Sequence, residues 1–243
     1  DDEIPSDYEK AYITGVTNNY KKASINVIKE DKYSADKKAH GEATLEGAQF
    51  QLYADMSCTT KATVYNVNGA KMTAGVYTIQ NGKVTTDYLR SGVTYYLKEI
   101  KAPVGYNLST EVIPIMADAS GKTVEYTSEI SNAEYGNNPI LGKVAIQKYY
   151  SDGETGLLDP EANTTFQVYL KSKGSYETCT DYERAIIKTD SNGYAVTGNL
   201  YYGTYVVHQV DSGDVDAIHV DDFDVEVTEN GKVYTYQLNN KLF

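Results

Sequence analysis

A lysine, a glutamate and an asparagine interrupt three otherwise apolar strand faces within residues 23–132. Lys29, Glu99 and Asn132 each stand two residues beyond an aliphatic residue of a strand-like run. Side chains two residues apart point to the same side of a strand, so all three are predicted to face the core. Buried without partners, an amine, a carboxyl group and a carboxamide each cost free energy. We therefore expect the three side chains to contact one another, and the chemistry of this region to occur among them.

Glu99 lies in the stretch 95–106, whose sequence is Tyr-Tyr-Leu-Lys-Glu-Ile-Lys-Ala-Pro-Val-Gly-Tyr. Tyr95, Leu97 and Glu99 share one face by the two-residue period of a strand. The Ala-Pro-Val-Gly run then breaks the pattern, because proline lacks a backbone donor and glycine favours turns. The stretch therefore predicts a strand that directs one carboxyl group into the core and ends shortly after it.

The elements that would position these residues occur twice in the chain. The first strand of each copy alternates and leads to a lysine, Lys29 or Lys148. The later matching segments are 49–53 with 165–169, 80–83 with 191–194, 92–99 with 203–209, 120–122 with 230–232, and 130–132 with 238–240. The segments 80–83 and 191–194 contain Asn-Gly and predict hairpin turns. An internal repeat of this kind indicates two copies of one structural unit.

Short strands separated by turn signals, in units near 100 residues, are typical of a small β-sandwich. We therefore predict an all-β chain with two tandem Ig-like sandwich domains. Domain one is residues 23–136 and domain two is residues 137–243, with a short linker at 133–142. Residues 1–22 are expected to be a leader or the tail of a preceding module.

The arrangement resembles the Cna-B-type domains of Gram-positive surface proteins, also described as SpaA-like or prealbumin-like, and the stretch 95–106 is similar to their E-box. In that family a lysine and an asparagine condense into an intramolecular isopeptide bond with the help of a buried acid. The resemblance implies that Lys29 is the nucleophile, Asn132 the electrophile and Glu99 the acid. It covers residues 23–132 well and residues 143–240 less completely.

The physical chemistry of a buried lysine agrees with these implied roles. An amine attacks only when neutral, and burial lowers a lysine pKa. Burial also disfavours a charged carboxyl group, so Glu99 is expected to be protonated, to hydrogen-bond the Asn132 carbonyl and to relay protons to the departing ammonia. Positioning by the fold can supply roughly 7–11 kcal/mol of the barrier. The reaction occurs once per molecule and needs no cofactor or metal, so we do not expect a turnover enzyme.

Domain two departs from the pattern at the position of the acid. Lys148 and Asn240 are present, and alternation with the preceding leucine favours Asn240 over Asn239. The residue that matches Glu99 is Gln209, whose amide cannot relay protons as a carboxyl group can. Either no bond forms in domain two, or an acid from another strand acts in its place.

We expect the second alternative, with Asp222 as the acid of domain two and Asp224 as the other candidate. Alternation argues against both, because Phe223 and the valines that follow it at two-residue spacing have the pattern of the inward face. His208 is expected at the surface and not as a base.

Composition excludes several other classes of function. The net charge is −12 and there is no lysine-rich run, which argues against nucleic acid or an anionic membrane as partner. No apolar run is long enough to span a bilayer. The two cysteines, Cys58 and Cys179, fall in different domains and are expected to be unpaired thiols. Three histidines without shared spacing and an acidic turn at 152–156 without calcium-loop spacing predict no metal site.

Taken together, the sequence predicts a structural segment of a Gram-positive pilin or adhesin stalk, extracellular and attached to the cell wall. Its partners would be other modules or subunits of the same surface assembly. One alternative is a pair of adhesin domains that recognise a host protein or glycan. A second alternative is an accessory β-module of a secreted carbohydrate-active enzyme.

Overall fold

The computed structural model describes residues 21–126, 138–151, 158–213 and 218–241. The strands of domain one are β1 (Lys22–Ile28), β2 (Gln49–Tyr53), β3 (Thr63–Tyr65), β4 (Lys71–Thr73), β5 (Val76–Thr78), β6 (Lys83–Thr85), β7 (Leu89–Arg90), β8 (Thr94–Lys101), β9 (Val112–Met116) and β10 (Thr123–Tyr126). Those of domain two are β11 (Leu141–Ser151), β12 (Leu158–Pro160), β13 (Thr165–Leu170), β14 (Arg184–Lys188), β15 (Tyr194–Val196), β16 (Leu200–Tyr201), β17 (Gly203–Asp211), β18 (Phe223–Val227) and β19 (Val233–Lys241). One 3-10 helix (Lys171–Lys173) follows β13. The all-β prediction is confirmed.

Each domain contains two main sheets, and the two domains share their strand order. In domain one, β1 pairs with β10 in parallel and with β6 and β7 in antiparallel fashion, while the second sheet has the order β5-β2-β8-β9. In domain two, β11 pairs in parallel with β19 and antiparallel with β12, β15 and β16, while the second sheet has the order β14-β13-β17-β18. The internal repeat therefore extends to the pairing of the strands. The small β3-β4 sheet is an addition to domain one.

Alternating apolar residues build a separate core in each domain. In β8 the buried residues alternate with half-buried or exposed ones, as the two-residue period predicts for a strand with one face in the core. Ile25 of β1 and Leu97 of β8 belong to one buried cluster, and Val144 of β11 and Val207 of β17 to the other. Fully burying such a side chain stabilises the fold by about 1.5–3 kcal/mol.

The two predicted Asn-Gly turns form, but they do not join strands of one sheet. Asn81 and Gly82 both have positive φ (54° and 79°), the conformation of the tight turns that favour Asn-Gly. The chain enters this turn from β5, in one sheet, and leaves it in β6, in the other. The turn at Gly193 likewise connects β14 to β15 of the opposite sheet. Gln80 and Lys83 form an isolated antiparallel bridge, so the first turn closes locally as a hairpin. The expectation is corrected in what the turns connect, because both carry the chain from one sheet to the other.

The loop that follows β1 connects the two domains. Its Asp31 is buried, and its carboxylate accepts hydrogen bonds from the hydroxyls of Tyr106 (2.5 Å) and Tyr201 (3.2 Å). Burial and the adjacent Asp31 raise the pKa of both tyrosines, so both hydroxyls stay protonated donors. Further along the loop, the Glu42 N–H donates to the Tyr202 carbonyl at 2.8 Å. Domain two is therefore attached beside the end of the E-box stretch.

The expected linker is only partly visible in this arrangement. Residues 133–137 lie outside the described residues. Pro139 bridges to Tyr106, and the Ile140 N–H donates to the Gly105 carbonyl at 2.8 Å. Leu141 already belongs to β11, so the last two residues of the expected linker are part of a strand.

Candidate functional site

Lys29 and Glu99 meet across the core of domain one. Lys29 directly follows β1, Glu99 lies in β8 of the other sheet, and the Lys29 Nζ is 3.1 Å from the Glu99 Oε1. Both side chains are 1% exposed. The second carboxylate oxygen, Oε2, accepts a hydrogen bond from the Ser109 N–H at 2.9 Å. The Lys29 Nζ also lies 5.4 Å from the centre of the Phe50 ring, where a cation is attracted to the ring face.

Burial governs the protonation of this lysine. Removal from water lowers the pKa of Lys29, and the neighbouring Glu99 opposes that change without cancelling it. A lysine in this position loses its proton more readily than one at the surface. The site thus has the property that a lysine nucleophile requires.

The proposed electrophile of domain one, Asn132, lies outside the described residues. The last described pair of the parallel ladder between β1 and β10 is Val27 with Tyr126. The ladder brings the end of the described chain alongside the end of β1, two residues before Lys29. Asn132 follows Tyr126 by six residues in the sequence.

Domain two has a buried lysine–carboxylate pair at the same place, but with a different acid. The Lys148 Nζ donates to the Glu161 Oε2 and to the Tyr149 carbonyl, each at 2.7 Å. The Lys148 side chain is fully buried and that of Glu161 is 2% exposed. Burial lowers the pKa of Lys148, against the opposing effect of Glu161.

Three hydrogen-bond donors surround one carboxylate oxygen of Glu161. Its Oε1 accepts hydrogen bonds from the hydroxyls of Thr164 (2.9 Å) and Ser212 (2.5 Å) and from the Gly213 N–H (3.1 Å). Burial alone would raise the pKa of Glu161, but the hydrogen bonds from Lys148, Ser212 and Thr164 outweigh it and the pKa is lowered. The carboxylate form of Glu161 is therefore favoured, while burial keeps the pKa of Lys148 lowered.

The expectation that Asp222 is the acid of domain two is not matched by its position. Asp222 precedes β18, its side chain is half-exposed, and its Oδ1 lies 2.7 Å from the Nδ1 of His208, itself at the surface as expected. Asp224 is also exposed and pairs with Lys171. Alternation had argued against both aspartates, and the structure follows the alternation. The carboxylate beside Lys148 is that of Glu161.

Sequence reasoning missed Glu161 because it lies in a turn. Glu161 and Leu45 stand at the same position, five residues before Phe166 and Phe50. Two residues after each comes a residue with positive φ, Asn163 (67°) or Gly47 (78°), whose N–H donates to a backbone carbonyl at 3.0 Å. The sequence did contain a signal for Glu161. When the two domains are aligned on Phe50 and Phe166, Glu161 falls where domain one has Leu45.

Gln209 occupies the position of Glu99, as the sequence alignment predicted. Gln209 pairs with Phe166, as Glu99 pairs with Phe50, and in each case the ladder shifts register just before the phenylalanine. Gln209 is 2% exposed. Domain two therefore has two buried polar groups, Glu161 and Gln209, at the positions where domain one has Leu45 and Glu99.

The comparison with known families is specific for the first of the two domains. Residues 23–131 match the model of the SpaA family, described as a prealbumin-like fold domain. The matched residues lie within domain one and make up less than half of the chain. The match covers the lysine and the E-box glutamate and ends one residue before Asn132. No curated protein matches the chain.

One solved structure shows a similar fold over 91% of the chain, and two others have lower TM-scores. The TIE protein of Bacillus anthracis is 23% identical over 91% of this chain and 34% of its own, with a TM-score of 0.59. The minor pilin GBS52 of Streptococcus agalactiae is 21% identical over 91% of this chain and 96% of its own, with a TM-score of 0.38. A C-terminal fragment of the pilus adhesin SpaC of Lactobacillus rhamnosus GG is 14% identical over 91% and 98%, with a TM-score of 0.44. The chain spans about a third of the TIE protein, whose likeness establishes the fold alone.

Other kinds of site find no support in the described parts of the chain. Among the residues at 21–126, 138–151, 158–213 and 218–241, no group of three or more His, Cys, Asp or Glu side chains could hold a metal ion. Cys58 and Cys179 are free thiols, half-buried and buried respectively. No helix within the same residues is long and apolar enough to cross a membrane.

Proposed function

We propose that each domain is closed by an isopeptide bond between a lysine in or directly after its first strand and an asparagine that follows near the C-terminal end of the domain. The bonds would join Lys29 to Asn132 and Lys148 to Asn240. The observation that carries the proposal is the same in both domains: a buried lysine amine in contact with a buried carboxyl group. Such a pair is costly to bury and does little for stability by itself, so a chemical use accounts for its presence twice.

In domain one, the reaction begins with proton transfer from the Lys29 Nζ to the Glu99 Oε1 across the 3.1 Å contact. The neutral amine attacks Cγ of Asn132, while the carboxylic acid donates a hydrogen bond to the Asn132 Oδ1. Glu99 then passes a proton to the departing nitrogen and regains one from the Lys29 nitrogen. The Nζ–Cγ bond forms, the Cγ–Nδ2 bond breaks and ammonia leaves.

In domain two, Glu161 takes the part of proton carrier. Its contact with the Lys148 Nζ is shorter, at 2.7 Å. The choice of Asn240 is supported by the parallel ladder, in which Lys148 pairs with Leu238 and position 240 follows two residues later on the same strand. Asn239, paired with Tyr149, is at the exposed face. Position 240 therefore shares the face of Lys148 by the period of the strand.

The function that follows is mechanical. In each domain the first and last strands are parallel neighbours, β1 with β10 and β11 with β19. A covalent link between these strands would let tension pass from one to the other without loading the residues between them. We therefore propose that the chain is a structural segment of a pilin or adhesin stalk on the cell wall of a Gram-positive bacterium, with other modules of the same assembly as partners. Two observations support this role. Domain one matches the SpaA family model, and Asp31 joins the two domains through Tyr106 and Tyr201.

The intact mass of the purified chain tests the proposal. One ammonia should be missing for each bond, so two ammonia masses should be missing in total. Protease digestion should then yield one branched peptide that contains Lys29 and Asn132 and another that contains Lys148 and Asn240. A mass equal to that of the unmodified sequence would contradict the proposed isopeptide bonds.

A further inference from the structure

Gln209 keeps one half of the hydrogen-bonding pattern of Glu99. The Gln209 Oε1 accepts a hydrogen bond from the Val220 N–H at 3.0 Å, and the Glu99 Oε2 accepts one from the Ser109 N–H at 2.9 Å. Val220 and Ser109 are equivalent, because each stands three residues before the next strand. The two side chains are thus anchored in the same way, at the same place in their domains.

The other half of the pattern is changed. The remaining oxygen of Glu99, Oε1, contacts the Lys29 Nζ. In Gln209 the remaining atom is Nε2, which among the described residues is the one buried side-chain nitrogen or oxygen without a hydrogen-bond partner. The amide cannot be turned over to improve this, because the Val220 N–H is a donor and must face the oxygen. An N–H donor is therefore held in the core without an acceptor.

The lysine of domain two does not supply that acceptor. The Lys148 ammonium is itself a donor, and it already donates to Glu161 and to the Tyr149 carbonyl. Gln209 stands opposite Phe166, at the ladder position that Glu99 occupies beside Lys29 in domain one. Position 240 of β19 shares the Lys148 face, and a carboxamide there carries a carbonyl oxygen. An acceptor of this kind would satisfy the buried donor.

We propose that the Gln209 Nε2 donates a hydrogen bond to the side-chain carbonyl of Asn240 and stabilises the negative charge that forms on its Oδ1 when Lys148 attacks. The proposal rests on the proposed isopeptide function and deepens it. Domain two would divide between two residues the roles that Glu99 combines in domain one. Glu161 carries protons, and Gln209 polarises the carbonyl.

The step balances with the groups at hand. The Glu161 carboxylate accepts a proton from the Lys148 ammonium, and the neutral amine forms a bond to Cγ of Asn240. Glu161 passes this proton to the Asn240 Nδ2, and the Cγ–Nδ2 bond breaks to release ammonia. Glu161 then takes a second proton from the Lys148 nitrogen and passes it to the ammonia, which departs as ammonium. Glu161 ends as a carboxylate, and Gln209 exchanges no proton.

The test follows ammonia loss separately in the two domains of the full chain. Chain made by cell-free translation is quenched in denaturant at successive times, and the branched peptides of each domain are quantified by mass spectrometry. Gln209→Met keeps similar bulk but removes the donor, and should slow domain two about 100-fold, the range seen when one oxyanion donor is removed. The cross-linking rate of domain one in the same molecules is the internal reference and should stay unchanged.

Two further variants separate a chemical role from a structural one. Gln209→Glu should recover cross-linking near neutral or mildly acidic pH, where a buried carboxyl group retains a proton to donate, and lose it as the pH rises. Wild type should show no such loss. Gln147→Ala is the matched control, because the Gln147 Nε2 donates to the Asn192 carbonyl at 2.6 Å, from the position before Lys148 in β11. It should leave both rates unchanged.

The outcomes are distinguishable. A wild-type rate in Gln209→Met, or slow cross-linking in both Gln209→Met and Gln209→Glu at every pH, would overturn the role of Gln209 while leaving the isopeptide bond in place. Wild-type chain that cross-links in domain one alone would overturn the domain-two bond and the role of Gln209 together. Thermal unfolding of each variant shows whether the fold is kept, and a folded Gln209→Met variant that reacts slowly supports the proposal.

Discussion

The two domains place a carboxyl group against the equivalent buried lysine from different elements. In domain one the carboxyl group beside Lys29 is that of Glu99, on a central strand, and the turn position holds Leu45. In domain two the carboxyl group beside Lys148 is that of Glu161, at the turn position, and the strand position holds Gln209. The comparison teaches that a buried lysine needs a carboxyl partner within hydrogen-bond reach, but not from one particular element. The carboxyl group can therefore come from a turn or from a strand while the pair with the lysine is kept.

The two carboxyl groups also differ in how firmly they are held. Glu161 accepts three hydrogen bonds on Oε1 in addition to the contact of its Oε2 with Lys148, and its pKa is lowered. A carboxylate stabilised in this way accepts a proton less readily. We therefore expect domain two to close more slowly than domain one, which a time course of the two branched peptides would measure directly.

The largest effect is expected from Glu99→Ala. This change removes the carboxyl group that contacts the buried Lys29, and breaking a buried ion pair costs about 3–5 kcal/mol. It also prevents the cross-link, which by analogy with a disulfide closing a loop of about 100 residues contributes about 4–5 kcal/mol. Intact mass should show one ammonia regained, and thermal unfolding a much lower midpoint for domain one.

The matched control for this change is Glu111→Ala, at an exposed position between Glu99 and β9. It should retain the ammonia deficit and the wild-type midpoint. If Glu99→Ala still lacks the ammonia of domain one, Glu99 is not its acid.

A second prediction concerns the acid of domain two. Glu161→Gln should restore the ammonia of domain two and leave domain one cross-linked, because an amide cannot carry protons. Asp222→Asn is the matched control, since Asp222 is half-exposed and paired with His208. The opposite result, with Asp222→Asn blocking the bond and Glu161→Gln permitting it, would return the role to Asp222.

A third prediction tests whether the two positions are interchangeable. The single change Glu161→Leu should abolish the bond of domain two. Adding Gln209→Glu reproduces the arrangement of domain one, leucine in the turn and glutamate on the strand, and should recover cross-linking in peptide maps. Failure of the double variant to react, in a folded chain, would show that the surroundings of Glu161 matter as well as its carboxyl group.

The rate of cross-linking should depend on pH in both domains. The reactive form is the neutral amine, and burial lowers the pKa of Lys29 and Lys148 from the usual value of 10.5. The rate should therefore rise with pH through the lowered pKa and level off below pH 10.5. Quenched time courses at a series of pH values would measure this. A rate that keeps rising past pH 10.5 would indicate an unperturbed lysine.

The smallest effect is expected at the interdomain contact. Tyr106→Phe removes the hydroxyl that donates to Asp31, and a hydrogen bond to a charged group contributes about 1.5–3 kcal/mol. Thermal unfolding should shift accordingly, while both ammonia deficits remain. Tyr33→Phe is the control, because Tyr33 is half-exposed and its hydroxyl only accepts a long contact of 3.4 Å from Asn199. A lost ammonia deficit in Tyr106→Phe would mean that the contact also positions the site.

Several features of the molecule followed from the sequence alone. The repeat, the strands and the inward position of Lys29, Lys148 and Glu99 all depend on the two-residue period of a strand, which is local and can be read from the chain. The same period argued against Asp222, and the structure agrees with the period. Pro103 and Gly105, which come just after β8, also mark the end of that strand in the sequence.

Only the tertiary structure decided which carboxyl group lies beside Lys148, the path of the Asn-Gly turns and the contact between the domains. A turn has no side-chain period, so nothing local shows that Glu161 points at Lys148. The crossing of the turns depends on which sheet each flanking strand joins. Asp31 meets Tyr106 and Tyr201 across 75 and 170 residues of sequence. Such long-range contacts depend on how the finished sheets pack, and therefore cannot be read from local pattern.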